Sequence, residues 1–267
     1  MSRSDQPPTT VSAGPTRREP YWDATRAPLQ SLAFLLPILL AYELGTLAYR
    51  TLIGPLPAIK AESWLAWGFE LFGISGRGSQ NAGIWALLLP PVAIVVVLLS
   101  MHLVEGAKSR VRPRLWPGMW AESIVLAAPL LVLTAVMFRG GGTTLQAAVS
   151  PETAGWLAEL LWSLGAGLYE ELVFRLVAIA AVHALFLSLL RVKEPWSALI
   201  AIAVSSVLFA LYHFDDRAAF DAGRFAFYTV AGVYLAGVYL LRGFGIVVAC
   251  HAIYDVVVVT LAWWQGG

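Results

Sequence analysis

From residue 28 onward the chain alternates long apolar runs with short connectors rich in Lys, Arg, Gly and Pro. A helix crosses the hydrocarbon core of a bilayer with ~20 residues. Seven runs meet or approach that length: 28–49, 81–104, 119–138, 155–190, 196–214, 225–241 and 244–263. The second is the cleanest, because Asn81 to Val104 contains no Asp, Glu, Lys or Arg. The fourth is too long for one perpendicular crossing, since 36 residues would extend ~54 Å at ~1.5 Å each. Gly165 and Gly167 are the expected break, with a shorter first piece left at the interface. Between the first two runs, 61–74 (AESWLAWGFELFGI) mixes Trp64, Trp67, Phe69 and Phe72 with charge. That mix predicts an amphipathic helix lying on the membrane surface, against the plainer alternative of an aromatic-rich loop. The expected fold is therefore all-α, a polytopic transmembrane bundle of about seven spanning helices plus an interfacial helix near 61–74.

Composition agrees with the pattern. Hydrophobic residues make up 58% of the 267, and charged residues 13%, where a soluble domain carries about 25%. The mean hydropathy is +0.70. A formal net charge of +1 gives no electrostatic support for a nucleic-acid partner. The single cysteine, Cys250, excludes an internal disulfide and a cysteine-rich zinc site. Residues 1–27 are polar and rich in Pro, Ser and Thr, and are expected to form a disordered cytoplasmic tail with no cleavable signal before the first span. The expected division is this tail, an N-terminal transmembrane region of three spans over 28–150, and a second transmembrane region over 151–267. With the N-terminus inside, the inner segments carry eleven of the eighteen Lys and Arg residues and the outer ones six, Arg175 being inside a span. The positive-inside rule therefore places the N-terminus in the cytoplasm. No internal repeat is visible, which weighs against a transporter built on inverted repeats.

Charges inside the apolar runs need a reason, because one ionised group near mid-bilayer costs roughly 2.5–3.5 kcal/mol on the insertion scale. The default reason is function. Glu170, Glu171 and Arg175 lie together in GAGLYEELVFRLVAIAAV. Glu171 and Arg175 are four apart and share a helix face, so they can pair. Glu170 projects about 100° away and is left to act elsewhere. Two adjacent buried carboxylates also disfavour joint ionisation, a setting suited to proton transfer. The plainer alternative puts this cluster at a helix end among lipid headgroups. The uncharged stretch Leu176 to Leu190 that follows, free of Asp, Glu, Lys and Arg, argues that the cluster enters the membrane.

Two histidines have comparable settings. Phe209 precedes His213 by one turn at the end of the fifth run, and His251 and Asp255 are four apart in the last. His102 and His183 read as hydrogen-bonded packing residues. Three separate spans thus supply acid–base groups, and a bundle can converge such groups on one cavity. His213 and His251 sit toward opposite ends of their spans, so their meeting requires staggered, tilted or broken helices. Glu43 is isolated in the first span, and Asp215, Asp216 and Asp221, with Arg217 and Arg224, read as a solvated loop.

The residues from Glu170 to Arg175 match an EExxxR motif, Phe209 to His213 an FxxxH motif, and His251 to Asp255 an HxxxN/D motif. In that order they resemble the CPBP (Abi, or CAAX-protease-like) family of glutamate-type intramembrane proteases over about residues 155–263. The resemblance makes 151–267 the catalytic transmembrane region and implies a peptide or protein substrate reached from the bilayer, with membrane lipid as the other partner. It implies that Glu170 and His213 activate a water and that His251 and Asp255 stabilise the oxyanion, while Glu171, Arg175 and Phe209 orient them. No cofactor is expected, and the expected location is a bacterial inner (plasma) membrane. Asp255 stands where the best-studied enzymes of this kind have Asn. An ionised Asp would repel an oxyanion, so its expected task is to orient His251 as a charged donor. The alternatives are zinc held by His213, His251 and Glu170, an ion- or proton-coupled transporter, and a non-proteolytic scaffold or immunity protein of the same family.

Overall fold

The computed structural model describes residues 20–56, 59–71, 73, 82–106, 110–138, 155–214 and 220–266. Among these residues there are nine helices and no strand. They are α1 (Tyr21–Arg26), α2 (Pro28–Leu52), α3 (Lys60–Leu71), α4 (Ala82–Val104), α5 (Trp116–Met137), α6 (Trp156–Leu189), α7 (Trp196–Tyr212), α8 (Ala222–Arg242) and α9 (Phe244–Gly266). Pro37, Pro90, Pro91 and Pro129 all lie inside helices. Such prolines persist in membrane bundles because neighbouring helices re-satisfy the freed backbone groups.

Five helices are long and apolar enough to cross a membrane: α2, α6, α8, α9, and α5 with the 3-10 turn before it. The chain is an integral membrane protein. α7 and the stretch Pro90–Val104 of α4 are apolar but shorter. The burial pattern is that of a bundle in lipid. On α2 the exposed stripe is Leu36, Leu40, Leu44 and Leu47, whereas Gln30, Ser31 and Thr46 are buried.

α9 forms the centre. Its first turns hold five consecutive residues, Ile246 to Cys250, each 0% exposed. A helix apolar on every side is one surrounded by others; α2, α5, α6 and α8 pack around it. Gly243, at φ 84°, is the lone residue between α8 and α9. A side chain there would be strained, and its Cβ would lie 3.1 Å from Arg26 Cα.

Two sequence expectations need correction. The fourth run does not break at Gly165 and Gly167. Instead, α6 is continuous over 34 residues and widens into a π-helix at Leu172–Ala178 and again at Leu185–Leu189. The two glycines mark close approach. A Cβ on Gly165 would lie 2.4 Å from Tyr42 Cε2, and one on Gly167 would lie 2.8 Å from Ala252 Cβ and 3.0 Å from Val248 O.

Nor does the polar tail extend to residue 27. Residues 21–26 are helical and pinned to the end of α8 by Arg242. Its guanidinium pairs with Glu122, donates 2.9 Å to Thr25 Oγ1 and lies 3.8 Å over the Trp22 ring. Residues 1–19 of that tail lie outside the described residues. The helix expected at 61–74 is present as α3 and ends at Leu71, with Phe72 and residue 74 outside the described residues. Trp64, Trp67 and Leu71 face outward from it.

Candidate active site

The motif residues of α6 sit where its backbone changes geometry. Glu170 and Glu171 end the α-helical part, and Arg175 lies within the π segment. π-bulges recur at functional sites because they re-aim side chains within a continuous helix. Here Ser205 Oγ on α7 donates 2.6 Å to Phe174 O, satisfying a carbonyl of the widened stretch.

Glu171 and Arg175 pair as their spacing predicts, with Nε 3.1 Å from Oε2. Both are essentially inaccessible, at 0% and 1% exposure. The guanidinium also lies 4.4 Å over the Phe209 ring and reaches Gly232 O at 3.5 Å. The second oxygen of Glu171 is not free for Arg175, because Oε1 lies 2.7 Å from His251 Nδ1. The other ring nitrogen of His251, Nε2, lies 3.4 Å from Asp255 Oδ2. His251 is therefore held between two carboxylates, and donating to both requires a proton on each nitrogen.

His213 caps the end of α7. Its Nδ1 lies 2.8 Å from Phe209 O. A carbonyl only accepts, so Nδ1 carries the hydrogen, and in the neutral ring Nε2 keeps its lone pair. That Nε2 lies 3.7 Å from Glu170 Oε2. Glu170 is buried, and its Oε2 has no hydrogen-bond partner among the described residues. Tyr228 on α8 stacks on the His213 ring at 3.9 Å and 18°.

These groups line a cavity of ≈ 270 Å³ between α5, α6, α7, α8 and α9. Its walls are otherwise mostly apolar, including Leu130, Leu235, Val258 and Val259. His213, at the end of the 17-residue α7, meets Glu170, the fifteenth residue of α6, and His251, the eighth of α9, in this one cavity.

All the expected catalytic residues, Glu170, His213, His251 and Asp255, line this one cavity, with Phe209 beside them. Sequence reasoning missed Tyr228, whose position depends wholly on how α8 packs. It also passed over Glu159, a cavity-lining carboxylate 2% exposed. The signal was available there, since Glu159 is a further charge inside the fourth apolar run.

Other readings change as well. Glu43 is not isolated, because it accepts a hydrogen bond from Tyr169, the residue before Glu170. Asp221 is no idle loop residue, for its carboxylate caps α8 by accepting from Arg224 N at 2.7 Å, and Arg224 lines the cavity. Asp215, Asp216 and Arg217 lie outside the described residues. His183 pairs with Glu194 at a half-exposed position rather than packing in the core. That hydrogen bond holds the Glu194 carboxyl below its usual range. Among the described residues, no three His, Cys, Asp or Glu side chains are grouped to hold a metal ion.

Residues 152–257 match the family described as Type II CAAX prenyl endopeptidase, Rce1-like. No curated protein and no solved structure matches the chain. The matched stretch contains every motif residue that meets in the cavity, and it leaves α1 to α5 outside. Over that stretch the chain is similar to the Rce1-like CAAX prenyl endopeptidases, a family of glutamate-type intramembrane proteases.

Proposed function

We propose that this protein hydrolyses a peptide bond of a membrane-associated or exported protein or peptide, using a water activated by Glu170 and His213. The observation that carries this reading is the unpartnered Glu170 Oε2 facing the lone pair of His213 Nε2 at 3.7 Å within the cavity. One water oxygen can stand within about 2.8 Å of both atoms, the reach that general-base catalysis needs.

In the proposed reaction Glu170 takes a proton from that water while His213 accepts its other hydrogen in a hydrogen bond. The oxygen bonds to the scissile carbonyl carbon, and the carbonyl oxygen becomes an oxyanion. His251, its Nδ1 held by Glu171 at 2.7 Å, donates to it from Nε2, whose contact with Asp255 is the longer one at 3.4 Å and is shared with the oxyanion. Glu170 then returns its proton to the leaving amine as the carbon–nitrogen bond breaks. A preorganised donor of this kind is worth about 2.7–4 kcal/mol at an oxyanion. The reading is metal-free. With both ring nitrogens of His251 turned to carboxylates, neither offers a lone pair to zinc.

α4 and α7 complete seven crossings in this reading, with the N-terminus cytoplasmic, and α3 lies at the membrane surface on its exposed tryptophans. The substrate arrives from the bilayer between helices. Comparing membrane-bound and released peptides in cells carrying wild type or Glu170→Ala tests the function. Peptides released only by wild type are expected, and identical peptide sets would sink the proposal.

A further inference from the structure

α3 lies outside the stretch that matches the protease family, yet its first two residues bond to the end of α7 that carries His213, and its third bonds to Tyr42 of α2, which packs beside Glu170's neighbour. Lys60 Nζ donates to the carbonyls of Tyr212 at 3.1 Å and Phe214 at 3.3 Å, the two residues that flank His213. Ala61 N–H donates to Tyr212 Oη at 3.0 Å. Glu62, next in the chain, accepts from Tyr42 Oη at 2.7 Å, and the Tyr42 ring packs edge-on at 5.5 Å against Tyr169, the neighbour of Glu170. Trp64 adds edge contacts to Tyr212 at 5.1 Å and Phe174 at 6.3 Å.

The end of α7 needs such help. Its last carbonyls have no intrahelical partner, and the chain turns at His213 through hydrogen bonds from His213 N to Ala210 O and from Phe214 N to Leu211 O, both 3.1 Å. A lysine at a helix C-terminus satisfies such carbonyls and complements the negative end of the helix dipole. A small rotation of this terminal turn would swing the His213 ring away from Glu170. Displacements of about 1 Å cost catalysis on the order of a hundredfold.

We infer that α3 is a brace for the catalytic pair and that Lys60 is a positioning residue, holding His213 in register with Glu170 through the backbone on either side of it. The inference rests on the proposed roles of Glu170 and His213. Lys60 touches neither substrate nor water in this scheme, so its loss acts on the chemical step rather than on substrate capture.

The test uses the full chain in detergent micelles and a peptide recovered from the cell comparison as substrate. Lys60→Met is expected to lower kcat about tenfold with KM unchanged, and Lys60→Arg, which keeps a cation at the same carbonyls, to restore most of it. A second readout needs no substrate. In protein labelled with nitrogen-15 histidine, the His213 Nδ1–H signal, assigned by its absence in His213→Asn, is expected to shift or broaden in Lys60→Met and to stay in place in Lys60→Arg. An unchanged kcat and signal in Lys60→Met would overturn the brace, as would a loss confined to KM or a Lys60→Arg variant as impaired as Lys60→Met. Should Lys60→Met fail to fold, Trp64→Ala serves, since Trp64 is half-exposed and does not line the cavity. A wild-type kcat in Trp64→Ala counts against the brace. If wild type cleaves nothing, the protease reading fails, and the histidine signal still decides the brace.

Discussion

Glu171 Oε1 and His251 Nδ1 lie 2.7 Å apart, joining α6 to α9 across 80 positions of sequence. The same carboxylate pairs with Arg175 at 3.1 Å. Glu171 thus neutralises the buried guanidinium and aims the imidazole, while its neighbour Glu170 faces His213 with an oxygen that has no hydrogen-bond partner among the described residues. Adjacent in sequence, the two glutamates differ in task.

Their substitutions are therefore expected to fail in different ways. Glu170→Gln removes the proposed base from a cavity wall and should leave the fold intact, with cleavage reduced on the order of a thousandfold. Glu171→Ala strands a buried Arg175, and breaking a buried pair costs about 3–5 kcal/mol. The melting temperature in detergent should fall by on the order of 10 °C. Parallel thermal unfolding and cleavage measurements check both, and equal stability losses in the two variants would refute the division of tasks.

Tyr228 supplies a face to His213 rather than a hydroxyl, given the stacked geometry at 3.9 Å. Stacked aromatic pairs contribute about 0.5–1.5 kcal/mol beyond burial. Tyr228→Phe is expected to keep near-normal kcat, and Tyr228→Ala to lose up to about tenfold. If both variants lose activity equally, the hydroxyl is the working group and the stacking argument is wrong.

The parts of this site that could be read from the sequence are those carried by helical spacing. Glu171 with Arg175, and His251 with Asp255, are i,i+4 pairs, and both form. Phe209 and His213 are also four apart, and the backbone bond between them fixes the tautomer. The apolar runs gave the helices to within a few residues, since run length is what the bilayer selects. Contacts set by how helices pack were not readable: Glu171 to His251, Tyr228 on His213, Glu43 to Tyr169, and Lys60 on the end of α7. The glycines of α6 misled because Gly165 and Gly167 read equally as a helix break or a close contact. Only the positions of Tyr42 and Ala252 distinguish the two.

Asp255 approaches His251 Nε2 at 3.4 Å through Oδ2, an acceptor atom that Asn also has. Asp255→Asn retains that acceptor while removing the charge, and kcat within about tenfold of wild type is expected. A folded Asp255→Asn protein without any cleavage would show that the negative charge itself is required, and the role assigned to His251 as oxyanion donor would then need revision.

A zinc mechanism and a glutamate mechanism separate cleanly by chelation. Since both nitrogens of His251 face carboxylates, activity is expected to survive exhaustive treatment with a strong chelator and removal of the chelated metal. Loss of cleavage restored by added zinc would establish the opposite.

The close contact of α6 with α9 sets where Glu170 stands, because Gly167 lies one helical turn before it. A methyl group at Gly167 would meet Ala252 Cβ at 2.8 Å and the backbone oxygen of Val248 at 3.0 Å, and backbone cannot yield as a flexible side chain does. Gly167→Ala must therefore push the helices apart, at a cost of about 1–3 kcal/mol, and it moves Glu170 relative to His213 and His251. Both melting temperature and kcat should fall. Gly237, in α8, is the matched control: among the described residues nothing lies within 4 Å of its added methyl, and Gly→Ala in a helix interior gains up to about 1 kcal/mol. Gly237→Ala is expected to be neutral or stabilising with full activity. If Gly167→Ala proves as harmless as Gly237→Ala, the α6–α9 contact does not position the proposed catalytic carboxylate, Glu170.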